Sequence, residues 1–149
     1  HLSIRRQRQM CIRDSLMLEL QHTYGMALLF ITHDLGVVAE IADDVAVMYL
    51  GKIVERAAAD VVFNNPKHPY TQSLLRSIPK IATKREELDP IKGMVPSPFR
   101  RPEGCTFHPR CPEAMEVCRH VVPSVTWLDD HHSVQCLLYE PEVLEAAGS

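Results

Sequence analysis

MALLFITHDLGVVAEIADDVAVMYLGKIVER, residues 26–56, is the stretch on which the fold turns. Six apolar residues, Met26 to Ile31, run without alternation and end in Thr32-His33-Asp34. A short continuous apolar run predicts a strand buried on both faces, as in a parallel sheet covered by helices. LGVVAEIA follows with helical spacing, and Asp34 is placed to cap it. DDVAVMYLGKIVER predicts a β-hairpin: Val45, Val47 and Tyr49 share a face, Leu50-Gly51 makes the tight turn, and Ile53 and Val54 lie on the return strand. His33 then falls where a buried strand hands over to a helix. In open α/β sheets ligands sit outside the carboxyl ends of the strands, and an imidazole there can donate to a phosphate oxygen or hold an attacking water. The plainer alternative for His33 is a helix cap or a packed crevice side chain.

Upstream, LMLELQHTY (16–24) places Leu16, Leu20 and Tyr24 at i, i+4 and i+8, an amphipathic helix for which Gly25 is the stop. Downstream, AAADVVFNNPKHPYTQSLLRSIP predicts two short helices. The first ends near Asn64-Asn65-Pro66; the second has Pro69 in its first turn, Leu74, Leu75 and Ile78 on one face, and Pro79 as its stop. Residues 80–92 are charged and read as a solvent-facing linker. From Met94 the texture changes: Pro96, Pro98, Pro102, Pro109, Pro112 and Pro123 crowd a segment with little apolar periodicity. Such a segment builds little helix or sheet and needs another source of order. Trp127 reads as the anchor of a small core there, and EVLEAAGS as a frayed tail.

That source of order is offered by GCTFHPRCPEAMEVCRH, residues 104–120. Cys105, Cys111 and Cys118 are spaced C-x5-C-x6-C, and Cys136 follows after seventeen more residues. Thiolates are strong, soft ligands for zinc or for an iron–sulfur cluster, and four satisfy either. Zinc knuckles favour C-x2-C or C-x4-C, so these longer spacings suit a larger object. His108, His120, His131 and His132 lie nearby and leave a site of three cysteines and one histidine open. Two disulfides, or four thiols with no joint role, are the alternatives. Cys11 stands apart with no assignment.

The whole chain sets the frame for these motifs. Its 149 residues are 46% hydrophobic, enough for a packed core, and its net charge of -3 argues for no nucleic-acid partner. No run approaches the roughly eighteen apolar residues of a membrane span, and the start lacks the apolar core of a signal peptide. A cytosolic, soluble chain is expected, where clustered cysteines mean metal or redox chemistry more often than structural disulfides. Arg5, Arg6, Arg8 and Arg13 concentrate positive charge at the start, which reads as a solvated end.

Three of these segments, in order, carry a family resemblance. ITHD followed by VMYLGKIVE resembles the switch-histidine region and the hairpin after it in the ATP-binding subunit of ABC transporters. FNNPKHPYTQSLLRSIP, with its His68-Pro69-Tyr70 triplet, resembles the C-terminal extension of the oligopeptide, dipeptide and nickel importer branch. VPSPFRRPEGCTFHPRCPEAMEVCR, followed by HSVQCLLYE, resembles the cysteine-bearing end of the same branch. The resemblance spans residues 16–141.

It implies an α/β fragment: the last parallel strand, helix and hairpin of a P-loop NTPase (RecA-like) ABC domain over residues 16–60, then a small irregular cysteine-rich extension over 61–141, with 142–149 a tail. By the same resemblance His33 would contact the ATP γ-phosphate and help order the hydrolytic water, with Mg²⁺ bound in the intact parent. Cys105, Cys111, Cys118 and Cys136 would ligate a [4Fe–4S] cluster, zinc being the alternative. The HPY triplet would be architectural. Expected partners are a second ATPase subunit in a homo- or heterodimer, transmembrane permease subunits, and indirectly a solute-binding protein; nucleic acid is not expected. The expected location is cytoplasmic, peripheral on the inner face of the plasma membrane through the permease.

The departures from the family are equally plain. The sequence contains no G-x-x-x-x-G-K-[ST] and no strand ending in Asp-Glu to supply the metal-binding acid and general base. HLSIRRQRQ superficially resembles the LSGGQ signature, but Ile4 and Arg5 stand where glycine allows close approach to phosphate. QMCIRDS resembles translated sequencing adapter, so residues 1–15 read as foreign to the family. The chain alone is expected to hydrolyse no ATP. The rival from another class is a non-catalytic four-cysteine metal module that docks to a partner; a nucleic-acid binder ranks third, since Glu113, Glu116, Asp129 and Asp130 dilute Arg100, Arg101, Arg110 and Arg119.

Overall fold

The computed structural model describes residues 16–17, 19–77, 91, 93–141 and 143. The expectations for residues 1–15, for Ile78, Pro79 and most of the linker, and for most of the tail lie outside these. The chain divides after Ala42 into two units, one up to Ala42 and one from Asp43 on.

In the first unit, residues 19–24 are helical and Gly25 stops them with φ +61, the left-handed conformation that ends many helices. Helix α1 (Leu35–Ile41) follows as expected. Asp34 is its N-cap: Oδ1 accepts from the backbone N–H of Gly36 at 3.0 Å and of Val37 at 3.3 Å. The expectation of a buried parallel strand at Met26–Ile31 is not met. These residues take no regular secondary structure, and Leu29 and Ile31 are 90% and 91% exposed. A strand buried on both faces takes its hydrogen bonds from neighbouring strands and its burial from covering helices. Among the described residues of this chain, no strand flanks Met26–Ile31.

The second unit holds the sheet. Strands β1 (Asp44–Tyr49) and β2 (Lys52–Ala58) form the expected hairpin, joined by Leu50 and Gly51. Both turn residues have positive φ, +46 and +78, the signature of the tight turn whose twist matches its strands. Val45, Val47 and Tyr49 are buried on alternate positions of β1. The return strand departs from simple alternation. Val47 pairs with Glu55 but Met48 pairs with Ile53, so Val54 is an extra residue, a β-bulge. The bulge lets Val54 and Glu55 both turn inward while Ile53 stays outside.

Helix α2 (Ala59–Asn64) follows β2 directly and ends before Pro66. Helix α3 (Pro69–Arg76) starts with Pro69 at its first position, where a missing N–H costs nothing. The proline-rich remainder forms short 3₁₀ turns, His108–Arg110, Glu116–Arg119 and Leu137–Tyr139. It also adds two short strands, β3 (Thr126–Trp127) and β4 (Ser133–Val134). They extend the hairpin into one antiparallel sheet of order β1-β2-β4-β3. The observed sheet is therefore antiparallel throughout the described residues. Trp127, expected to anchor a core, lies on the outermost strand and is 60% exposed. Phe107, Leu137 and Val134 fill the interior instead.

Candidate functional site

The site is built around a carboxylate the bulge turns inward. Glu55 is fully buried. Its Oε1 accepts from the backbone N–H of Lys67 at 2.7 Å and contacts Nε2 of His132 at 2.9 Å; its Oε2 accepts from the backbone N–H of His68 at 3.0 Å. A carboxylate is an acceptor at both oxygens, so it can tie three donors from three separate segments. Glu55 thus joins β2 to the segment before α3 and to the loop entering β4. The far end of that loop is set by Asp129, whose Oδ1 accepts from the backbone N–H of His131 at 2.8 Å and of His132 at 2.7 Å.

His68 caps α3. Its Nδ1 accepts from the backbone N–H of Tyr70 at 3.0 Å, which requires the neutral ring protonated at Nε2. Burial drives its pKa from 6.5 down to about 4, against the opposing pull of the Glu55 charge and a hydrogen bond with the Gln135 backbone. Tyr70 meets Tyr49 and Phe107, with ring centroids 4.8 Å and 5.3 Å away. Phe107 is the hub of this cluster, also facing Tyr49 at 5.2 Å and His68 at 5.8 Å. Tilted and edge-on aromatic pairs of this kind each add about 0.5–1.5 kcal/mol beyond the area they bury. The HPY triplet is therefore the wall on which Phe107, and the cysteine loop that carries it, is seated.

Phe107 sits between Cys105 and Cys111. The chain there coils so that Cys105 O accepts from the N–H of His108 at 3.1 Å and His108 O accepts from that of Cys111 at 3.3 Å. The N–H of Cys105 donates to Cys118 O at 2.9 Å, which brings the third cysteine alongside the first. Gly104 permits this approach. It has φ +64, and a Cβ there would lie 2.5 Å from Cys118 O and 2.7 Å from the Arg119 carbonyl carbon. Cys118 and Cys136 are buried, Cys105 and Cys111 half-buried, and all four are free thiols.

The four cysteines lie within electrostatic reach of one another. Burial raises the pKa of Cys105, and it pushes Cys111 up to about 11 and Cys136 to about 12. In each case a neighbouring cysteine adds to the rise, because a second thiolate repels the first. Such thiols stay protonated at neutral pH unless a cation takes their charge, which is how a metal ion deprotonates its ligands. As placed, no three His, Cys, Asp or Glu side chains among the described residues are arranged to share a single metal ion. The four nearby histidines do not complete the set. His108 Nδ1 is 2.9 Å from Cys105 O, exposed His120 lies 3.9 Å from Glu116, His131 is exposed, and His132 turns to Glu55.

His33 lies in the exposed bend before α1 in the first unit. Its neighbour Thr32 accepts from the N–H of Asp34 through Oγ1 at 3.0 Å, which shapes the turn into the helix. The residues that reading the sequence missed are Glu55, Phe107 and Gly104, and His132, weighed as a metal ligand, is a partner of Glu55 instead. A charged residue inside a strand pattern and an aromatic between two cysteines were the available signals. Neither identifies a partner that is 77 positions away, as His132 is from Glu55.

Residues 54–118 match the family described as the oligopeptide/dipeptide transporter, C-terminal region. The chain is 48% identical over 130 residues to the oligopeptide transport ATP-binding protein AppD of Bacillus subtilis, covering 87% of this chain and 40% of that protein. It is 51% identical over 110 residues to the dipeptide transport ATP-binding protein DppD of Haemophilus influenzae, covering 74% and 33%. With the DppD of Escherichia coli the identity is 46% over 121 residues, covering 81% and 37%. The chain spans about two fifths of the length of the curated relatives it matches most strongly.

Proposed function

We infer, from the premise that residues 54–118 carry the C-terminal region of the oligopeptide/dipeptide transporters, that this chain is the C-terminal portion of the ATP-binding subunit of an ABC importer. The observation that carries the reading is near-half identity to peptide-import ATP-binding proteins over most of the chain. Peptides are the solute class of those relatives, with nickel the alternative within the branch. In the intact parent, ATP with Mg²⁺ would bind between two ATPase subunits, and hydrolysis would drive a transmembrane permease from the cytoplasmic face of the membrane. His33 would stand at the γ-phosphate. Its exposed position ahead of α1 leaves the imidazole free to meet a phosphate presented by another part of the assembly.

The thiols would hold a [4Fe–4S] cluster through Cys105, Cys111, Cys118 and Cys136. Support comes from the chemistry of the donors: four free thiols, of which Cys105, Cys111 and Cys136 have pKa values raised by burial that a cation would reverse. When bound, the cluster would cross-link a segment that has little regular structure of its own. Around it, Phe107 seats the first two cysteines and Gly104 lets Cys105 reach the Cys118 backbone.

Two measurements test this. Anaerobic purification with metal and sulfide analysis should give iron, sulfide and a visible sulfur-to-iron absorption band; one zinc per chain without colour would replace the cluster. ATP turnover by this chain, abolished by His33→Ala, would contradict its reading as a portion that acts only within the larger subunit.

A further inference from the structure

The loop 94–101, MVPSPFRR, is not used by the ATPase reading, yet it is the most exposed apolar feature of its unit. Phe99 is 97% exposed and Met94 90%, with Val95 more than half exposed beside them. Arg100 and Arg101 follow Phe99 directly, and both are exposed. We propose that this loop docks on an anionic lipid surface, with Phe99, Met94 and Val95 entering the headgroup boundary and Arg100 and Arg101 meeting lipid phosphates.

The loop is held in a defined shape. The N–H of Arg100 donates to Ser97 O at 3.0 Å, and that of Phe99 to Ser97 Oγ at 3.3 Å, which closes a turn with Phe99 at its tip. Arg101 Nε donates back to Pro98 O at 3.3 Å. At the base, Arg110 Nη2 donates to Ile91 O at 3.2 Å, and the other end passes through Gly104 into the cysteine loop. A pre-shaped tip presents its apolar side chains without further ordering cost.

The chemistry favours lipid over a protein partner. Pro96, Pro98 and Pro102 lack backbone N–H groups, so the segment cannot add as a strand to a sheet edge. Its largest apolar group projects from a tip instead of lining a groove. An aromatic beside arginines matches the boundary between acyl chains and anionic headgroups. Glu103, exposed two residues beyond Arg101, is an opposing charge beside the pair. Among the described residues no helix is long and apolar enough to cross a membrane, so contact of this kind would be peripheral.

The test is co-sedimentation of the 149-residue chain with vesicles of phosphatidylcholine alone and of equal parts phosphatidylcholine and phosphatidylglycerol. Binding to the anionic vesicles, weakened by salt and several-fold poorer on the neutral ones, is expected. Arg100→Gln with Arg101→Gln should weaken anionic binding about 25-fold, about fivefold for each arginine. Phe99→Ser should weaken it about tenfold while leaving its salt dependence in place. Because Arg5 and Arg6 could also attract anionic lipid, Arg5→Gln with Arg6→Gln is the control, and the Phe99 effect must persist in that background. Phe99 touches no core, so Phe99→Ser should keep the wild-type urea midpoint. Absence of binding, equal binding to both vesicles, or Phe99→Ser binding as wild type would each overturn the proposal. So would retained lipid binding by Phe99→Ser with loss of capture by detergent-solubilised permease, which would assign the loop to a protein.

Discussion

Replacing Glu55 by glutamine is the sharpest probe of the frame behind the cysteine loop. In the wild type, two N–H groups and the His132 ring converge on two carboxylate oxygens, with Glu55, His68 and His132 all buried. A glutamine amide has one acceptor oxygen. Placed at the Oε1 position it keeps Lys67 and His132, but its NH₂ then faces the N–H of His68, donor against donor. Losing one hydrogen bond to a charged group and leaving its donor buried should cost about 1.5–3 kcal/mol. Alanine, which strands all three donors, should cost about 3–5 kcal/mol. His132→Ala, alone and combined with Glu55→Ala, completes a cycle in which the two changes should couple by about 1–2 kcal/mol, because each removes the bond between these two side chains. The assay is urea denaturation under reducing conditions, followed by circular dichroism. A Glu55→Gln midpoint within about 0.5 kcal/mol of wild type, or an additive cycle, would refute the claim that this carboxylate ties the segments together.

Three further outcomes follow from the same packing. Gly104→Ala forces a side chain into a left-handed backbone position and against the Cys118 carbonyl; it should lose about 2–4 kcal/mol and reduce the metal content of anaerobic preparations, measured by denaturation and metal analysis. Tyr49→Phe keeps the ring cluster and removes a buried hydroxyl that has no partner among the described residues, so its stability should equal the wild type or exceed it by up to about 1 kcal/mol. His68 is neutral when folded, with a pKa near 4 against 6.5 when free, so the unfolded chain takes up its proton first as pH falls. Its contribution is intact above pH 6.5 and lost progressively toward pH 4, a total of about 3 kcal/mol at about 1.4 kcal/mol per pH unit. His68→Asn keeps an acceptor for the Tyr70 N–H and should flatten that part of the pH profile, read as urea midpoints between neutral pH and about pH 4.5.

Local signals carried much of the unit from Asp43 onward. Alternating Val45, Val47 and Tyr49 before Leu50-Gly51 specified a hairpin, because period and turn chemistry both lie within a dozen residues. Pro69 specified where α3 begins, and Asp34 where α1 begins, since a cap needs only its own first turn. The clustering of Cys105, Cys111 and Cys118 was legible as spacing. Met26–Ile31 shows the opposite case: its apolar run announced a buried strand, but pairing and cover must come from elsewhere, and within this chain the run takes no regular secondary structure. Trp127 likewise had the composition of an anchor and the position of an edge.

By itself, then, the order of residues determined the short-range elements, the similarity to peptide-import ATP-binding proteins and the spacing of the four thiols. Tertiary structure alone decided that β4 returns to pair with β2, that a one-residue bulge turns Glu55 inward, and that Phe107 rests on Tyr49, His68 and Tyr70. The reason is one of range. Turns, caps and periodicity are satisfied between near neighbours, whereas a buried carboxylate is stable only when donors from distant segments arrive together, and no local pattern encodes that meeting.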